Sequence, residues 1–271
     1  MLTPHPSAAI EYWFFKVNYG PIAILVDWIA KRNTNQNWLR ISIYSPIKRE
    51  VISEKFVELM SEDNFLSLQR TVGHISDIAW ELDINPGKDI IKPDIFPLGL
   101  MRMTDLLLLS APQARFSGWI RHGGQNFLLK DAPGMISHYW GRQLASNWWW
   151  VSANQFDQID VAVECSFFHT SLWGSPIKSA FAYLYLRQNN KKEFVMVPSG
   201  MVSIKGNYEN FELKINRISK ESIILKGTGR NYGDLGDRII NTLIGDLEIR
   251  IGKKMIARAE GTACIEYRAP K

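Results

Sequence analysis

The sequence is short of cysteine, of long apolar runs and of charge in blocks, and each shortage removes a class of protein. Two cysteines in 271 residues, Cys165 and Cys264, are too few for a disulfide framework or a four-cysteine zinc site, so reduced and buried thiols are expected. The most apolar windows, residues 22–30 and 106–109, fall far below the roughly 20 residues of a membrane-spanning helix, and Asp27 interrupts the first. The chain does not open on a basic stretch followed by an apolar one. No signal peptide is therefore expected, and the protein reads as cytoplasmic. Lys and Arg outnumber Asp and Glu by 32 to 27, a net charge of +5, but no run of like charge occurs. Nucleic acid is not an expected partner. Familiar catalytic signatures are missing as well: there is no Gly-rich phosphate loop, no Gly-x-Ser-x-Gly elbow and no His-Glu-x-x-His. The five histidines, at 5, 74, 122, 138 and 169, show no ligand spacing with one another or with the cysteines. Neither a metal nor a cofactor is expected.

Apolar residues, at 46% of the chain, are sufficient for a full core, and the ten Trp, nine Tyr and thirteen Phe make the sequence rich in aromatics. The dominant period is two. Ile78, Trp80, Leu82 and Ile84 alternate with Ala79, Glu81 and Asp83. Val161, Val163, Cys165 and Phe167 alternate in the same way with Asp160, Ala162, Glu164 and Ser166. Such alternation marks half-buried antiparallel strands. Residues 39–44, 116–120, 126–129, 180–186, 194–197, 201–205, 211–215, 222–226, 247–251 and 262–267 also read as strands. Turn chemistry separates them at Gly123-Gly124, Gly206-Asn207 and Asn85-Pro86-Gly87. Residues 86–99 form the longest irregular stretch, and Lys191-Lys192-Glu193 reads as a solvated hairpin loop. One helix is expected over residues 235–244, where Ile239, Ile240, Leu243 and Ile244 fall at helical spacing behind Asp237. The sum is an all-β chain of short strands, better suited to two barrels or half-barrels than to one wide barrel.

Residues 117–156 hold the candidate chemistry. They read as a hairpin, a turn at Asp131-Ala132-Pro133-Gly134, a strand, a turn near Gly141 and a further strand. Along that last strand Trp149, Val151 and Ala153 share a wholly apolar face, expected to be core. Trp148, Trp150, Ser152 and Asn154 share the other, a mixture of indole, hydroxyl and amide suited to a ligand wall. On the preceding strand His138 and Trp140 lie on one side and Tyr139 on the other. Three groups could donate a proton there: His138, Asp131 and Glu164. Each has a plainer reading, as a structural hydrogen bonder, a turn residue and a solvated carboxylate respectively. Glu11, beside the aromatic run Tyr12-Trp13-Phe14-Phe15, must be paired if it is buried, with Arg142 or Arg121 as expected partners.

Several of these motifs carry a resemblance. Gly118-Trp119-Ile120, Gly123-Gly124, Asp131-Ala132-Pro133, Trp140-Gly141, Trp148-Trp149-Trp150 and Asn154-Gln155-Phe156 resemble, in order, the central segment of the tocopherol cyclases. His138-Tyr139-Trp140-Gly141 is similar to the His-x-Trp-Gly pattern of the carotenoid 1,2-hydratases. Glu11-Tyr12-Trp13 resembles the opening strand of the same superfamily, and Gly245-Asp246-Leu247 a step near the cyclase C-terminus. The resemblance implies two lipocalin-like β-barrel or half-barrel domains, drawn at residues 1–136 and 137–271. It also implies a large apolar substrate, either prenylated or a polyene as in the related Diels–Alderases, collected in part through peripheral membrane contact. Trp13, Trp119 and Trp140 then join Trp148, Trp150 and Asn154 as the expected substrate wall.

The expected activity is cofactor-independent cyclisation, by protonation of an alkene or by templating a pericyclic closure. Indole faces stabilise developing positive charge by roughly 0.5–2 kcal/mol each. A hydratase that traps the cation with water and a carrier that binds without reaction are the alternatives, and a barrel serves all three. Far-UV circular dichroism is expected to be dominated by β-structure, with an intense near-UV signal from clustered indoles.

Overall fold

A computed structural model of the chain describes residues 5, 7–34, 36–56, 60–92, 106–143, 145–171 and 178–270. Among them the alternating pattern becomes two antiparallel sheets of ten strands each. The first contains β1 (Ile10–Tyr19), β2 (Ile22–Lys31), β3 (Gln36–Tyr44), β4 (Arg49–Phe56), β5 (Phe65–Leu66), β6 (Arg70–Ile75), β7 (Ile78–Asn85), β8 (Leu106–Ala111), β9 (Arg115–His122) and β10 (Gln125–Gly141). Its order is β4-β3-β2-β1-β10-β9-β7-β6-β5, with β8 also on β10. The second contains β11 (Asn147–Ala153), β12 (Ala162–Ser171), β13 (Lys178–Gln188), β14 (Lys191–Pro198), β15 (Val202–Gly206), β16 (Asn210–Arg217), β17 (Lys220–Thr228), β18 (Gly233–Asp234), β19 (Ile239–Ile251) and β20 (Lys254–Arg268). Its order is β14-β13-β12-β11-β20-β19-β17-β16-β15, with β18 on β19. The second order is the first with ten added at every place. Only the attachment of β8 and β18 differs.

Each sheet curls around its own core. In the first, Trp13 and Phe15 of β1 face Trp28 of β2, Trp80 of β7, Phe116 of β9 and Ile136 of β10. Two of the indoles have their polar edges satisfied: Trp28 Nε1 donates to Asn64 (3.2 Å) and Trp80 Nε1 to Thr71 (3.1 Å). Packing around β10 is tight enough that a Cβ on Gly134 would lie 2.2 Å from the Lys16 carbonyl oxygen. The second core joins Trp149, Val151 and Ala153 of β11 to Cys165 of β12, Leu184 of β13, Leu213 of β16, Leu225 of β17 and Ile265 of β20. The apolar face expected of residues 149–153 is thus the core face. Both cysteines are free and buried. No helix among the described residues is long and apolar enough to cross a membrane.

The chain divides into two compact units, Met1–Ile43 with Arg49–Leu144, and Tyr44–Lys48 with Ala145–Lys271. The 136/137 division drawn from sequence falls inside β10, a single strand of 17 residues. That strand corrects the turn expected at Asp131. The chain continues straight through as a bulge: Asp131 adopts a left-handed φ of 51° and the register with β9 shifts between Leu129 and Ala132. A bulge accommodates Pro133, which cannot donate to the ladder. Gly123 and Gly124, at φ 56° and 75°, make the β9–β10 hairpin turn as expected.

The helix expected over residues 235–244 is a second correction. Gly236, Asp237 and Arg238 form a left-handed turn and β19 begins at Ile239. Ile239, Ile240, Thr242 and Ile244 are β-branched and favour strands, and the first half of β19 is buried on nearly every residue. Apolar residues on both faces erase the period of two, and the remaining apolar positions imitate helical spacing. The same effect hides β2, where eight consecutive residues are buried. Lys191-Lys192-Glu193 is strand rather than loop: the turn is Asn189-Asn190, at φ 50° and 59°, and Glu193 pairs with Lys220 and Arg217. Of the irregular stretch 86–99, residues 93–99 lie outside the described residues.

Replacement of Trp149, whose ring packs 4.7 Å from that of Tyr267 and 5.0 Å from that of Phe211, tests the assignment of faces. Trp149→Ala is expected to cost about 3–5 kcal/mol, the range for large aromatic deletions, read as a lower urea midpoint.

Candidate functional site

Alternation along β10 places Ile136, His138 and Trp140 on the face turned to the first core. Register then sets Trp13 opposite His138 and Glu11 opposite Trp140. Around this crossing a polar cluster forms. Glu11 is fully buried, and its carboxylate lies 2.9 Å from His138 Nε2, 3.0 Å from His5 Nδ1 and 2.6 Å from Arg32 Nη2. It also accepts from the His5 backbone N–H at 2.9 and 3.1 Å. The partner is therefore Arg32 rather than Arg142 or Arg121. The β1–β2 register opposes Ile10 to Lys31, which delivers the next residue to the start of β1. Trp13 stacks on His138 with ring centroids 4.9 Å apart, and Trp140 on His5 at 4.2 Å. His5, Glu11 and His138 are the described residues whose potential ligand atoms converge, all lying within 4.8 Å of one another.

The charges in this cluster follow from its geometry. Burial opposes ionisation of Glu11, but the hydrogen bonds from His138 and from the His5 side chain and backbone outweigh it. They hold the carboxyl below its ordinary 4.5. Burial pushes His138 below its ordinary 6.5 more strongly than Glu11 raises it. The pair is a carboxylate accepting from a neutral imidazole.

A second group lies in the other unit. On β12 Glu164 points away from the face that carries Cys165 into the core, yet it is fully buried. The plainer sequence reading, a solvated carboxylate, is overturned. Tyr183 donates its hydroxyl to Glu164 at 2.9 Å and Trp150 its indole N–H at 3.3 Å. Register explains the meeting, since Glu164 pairs with Ser152 on one side and Tyr185 on the other, one step from Trp150 and Tyr183. Further along the same face Trp148 donates to Glu266 at 2.7 Å, with the Arg268 guanidinium 5.1 Å over its ring. Asn241 donates to Glu266 at 2.9 Å. The adjacent Cys165 thiol is pushed well up by burial and is no nucleophile.

The expected site residues therefore fall into separate places. His138, Trp13 and Trp140 meet around Glu11; Trp148 and Trp150 share the Glu164 face, with half-buried Asn154 just beyond the end of their strand. Asp131 sits in the β10 bulge with 78% of its side chain exposed, close to Arg115. Trp119 is on β9 opposite Leu128 and lines a shallow surface depression with Arg121 and Asn126. Sequence reasoning did not find His5 or Arg32, and no local pattern announces them. Tyr183 was legible in part, since alternation over residues 180–186 puts Tyr183 and Tyr185 opposite the core-facing Ala182 and Leu184.

Comparison with known proteins agrees with this architecture. The model of the tocopherol cyclase-like family matches residues 106–265, more than half of the chain. A search of curated proteins gives no significant match. Among solved structures, kievitone hydratase from Nectria haematococca aligns with a TM-score of 0.66 at 12% identity, covering 98% of this chain and 90% of that one. An AttH candidate from Nitrosomonas europaea aligns with the same score and identity over 98% and 94%. CghA bound to Sch210972 aligns with a TM-score of 0.64 at 11% identity over 97% and 89%. At these identities the likeness is one of fold.

The Glu11 cluster has a pH signature. Because its folded pKa lies below 4.5, ionised Glu11 contributes stability that is complete above that value and lost as pH falls through the folded pKa. Glu11→Gln is expected to lower stability at pH 7 by roughly 1–3 kcal/mol. The gap from wild type should narrow as urea unfolding is repeated from about pH 5 downward.

Proposed function

This chain belongs to the tocopherol cyclase-like family, and from that premise we propose that it is an enzyme that protonates an alkene of a large apolar, prenylated or polyene substrate. Attack on the cation by a hydroxyl of the substrate, closing a ring, or by water then forms the new C–O bond, and the proton shed by the attacking oxygen restores the acid. The observation that carries the reading is Glu164: a fully buried carboxyl on an aromatic face, held by an indole N–H and a phenol O–H. A general acid must hand its proton over in a place that excludes water and must then be stabilised as an anion. Burial supplies the first condition, and Trp150 and Tyr183 supply the two donors for the second. Trp148 and Trp150 offer π-faces for positive charge on the substrate. His138, first among the expected donors, is less suited to the role. Its imidazole is kept neutral by burial and its Nε2 is engaged by Glu11. Asp131 is exposed to solvent. Kievitone hydratase, similar in fold, is by its name in keeping with capture by water.

The test is turnover of prenylated and polyene compounds in heavy water. Proton transfer predicts one non-exchangeable deuterium at carbon in the product. Glu164→Gln should lower kcat by about 10²–10⁴-fold, the worth of general acid help, with ligand binding retained in native mass spectrometry. A deuterium-free product formed equally well by Glu164→Gln would leave templated ring closure as the account. Unchanged ligand recovered at one equivalent would make the protein a carrier.

A further inference from the structure

We propose that His5 Nδ1, the Glu11 carboxylate and His138 Nε2 form a binding site for one divalent transition-metal ion of the zinc class. The starting point is an oversubscribed oxygen. Glu11 Oε1 has three nitrogens around it: the His5 backbone N at 2.9 Å, His5 Nδ1 at 3.0 Å and His138 Nε2 at 2.9 Å. A carboxylate oxygen offers about two lone-pair positions. The backbone N–H takes one, and the two imidazoles compete for the other. A neutral imidazole carries one proton for two nitrogens, so the excluded ring can turn a lone pair toward the cluster instead.

Two imidazoles and a carboxylate suit zinc, which binds such donors at about 2.0–2.2 Å and keeps a fourth position for solvent or substrate. Bonds of that length put neighbouring donors about 3.3 Å apart around a tetrahedral ion. The nitrogens already lie 2.9 and 3.0 Å from Oε1 and all three donor atoms within 4.8 Å of one another, so ligation asks for the two imidazoles to close on the ion by side-chain rotation. Outer contacts hold the donors in place, as metal sites require. Arg32 grips the other carboxylate oxygen at 2.6 Å, Trp140 stacks on His5 at an interplanar angle of 3° and Trp13 on His138 at 14°. Access is open on one side, because the side chains of His5 and Arg32 are 36% and 35% exposed. A bound ion would tie the segment preceding β1 to β1 and β10. The site is independent of Glu164, which lies in the other unit, so the two proposals stand or fall separately.

The test uses the full chain, stripped with a chelator and titrated by calorimetry with Zn²⁺ alone. One equivalent is expected to bind and to raise Tm, and Co²⁺ is expected to give the visible bands of a low-coordinate nitrogen and oxygen site. His5→Ala should weaken binding by more than the 10–100-fold that loss of an outer partner costs (order of magnitude) and abolish the Tm rise. His138→Gln should do the same, whereas His74→Ala, on an exposed position of β6, should change neither. His5 precedes the first strand, so its replacement leaves the core intact and decides the matter even if His138→Gln fails to fold. Absence of stoichiometric uptake by the wild type, or uptake unaltered by His5→Ala, would overturn the site.

Discussion

Burial of both faces of the central strands is the constraint from which most of this structure follows. One face of each sheet meets its own apolar core. The opposite face is withdrawn from water too, and its composition is different: Lys16, Asn18, Asp27, Ser42 and Ser137 in the first unit, and Ser152, Glu164 and Ser166 in the second, all under 9% exposed. A polar group in such a place costs several kcal/mol unless it is hydrogen-bonded. Asp27, whose carboxyl burial pushes up and Arg40 pulls down, meets that requirement with a 2.8 Å ion pair. Polar groups retained where apolar ones would pack at lower cost are where chemistry is to be sought, and Glu164 is among them.

Glu11 and Glu164 are both fully buried, and each is held by hydrogen-bond donors. Glu11 faces a guanidinium, a backbone N–H and two imidazoles, which together stabilise its charge and hold it ionised. The donors to Glu164 include a phenol and an indole. A guanidinium partner and several hydrogen bonds make a carboxylate a fixed anion, suited to anchoring strands or ligating an ion. Glu164 stands in a buried, aromatic setting, which suits a carboxyl that exchanges a proton.

The repeated strand order sharpens the contrast. β11 and β20 stand in the second unit where β1 and β10 stand in the first, yet the core-facing cross-strand pair Trp13–His138 of one has Trp149–Tyr267 in the other. Trp149 packs on Phe211 and Tyr267, whereas Trp13 stacks on an imidazole bonded to a carboxylate. One topology thus supports an apolar crossing and a polar one.

Alternation is local, so the sequence by itself determined the all-β class, the hairpin glycines and which face of β11 is core. It failed where both faces are largely apolar, as in β2 and the first half of β19, because the periodic signal needs one polar side. It also took the β10 bulge for a turn, since Asp131, Pro133 and Gly134 serve either. Which side chains meet was a tertiary decision. Glu11 and His138 are 127 residues apart, and nothing in either segment encodes the register that joins them. Arg32 reaches Glu11 through the β1–β2 hairpin, and Tyr183 reaches Glu164 through a strand pairing. A residue's face is written in its immediate neighbours. Its partner depends on how strands distant in sequence align, and that alignment is settled only when the whole sheet closes around its core.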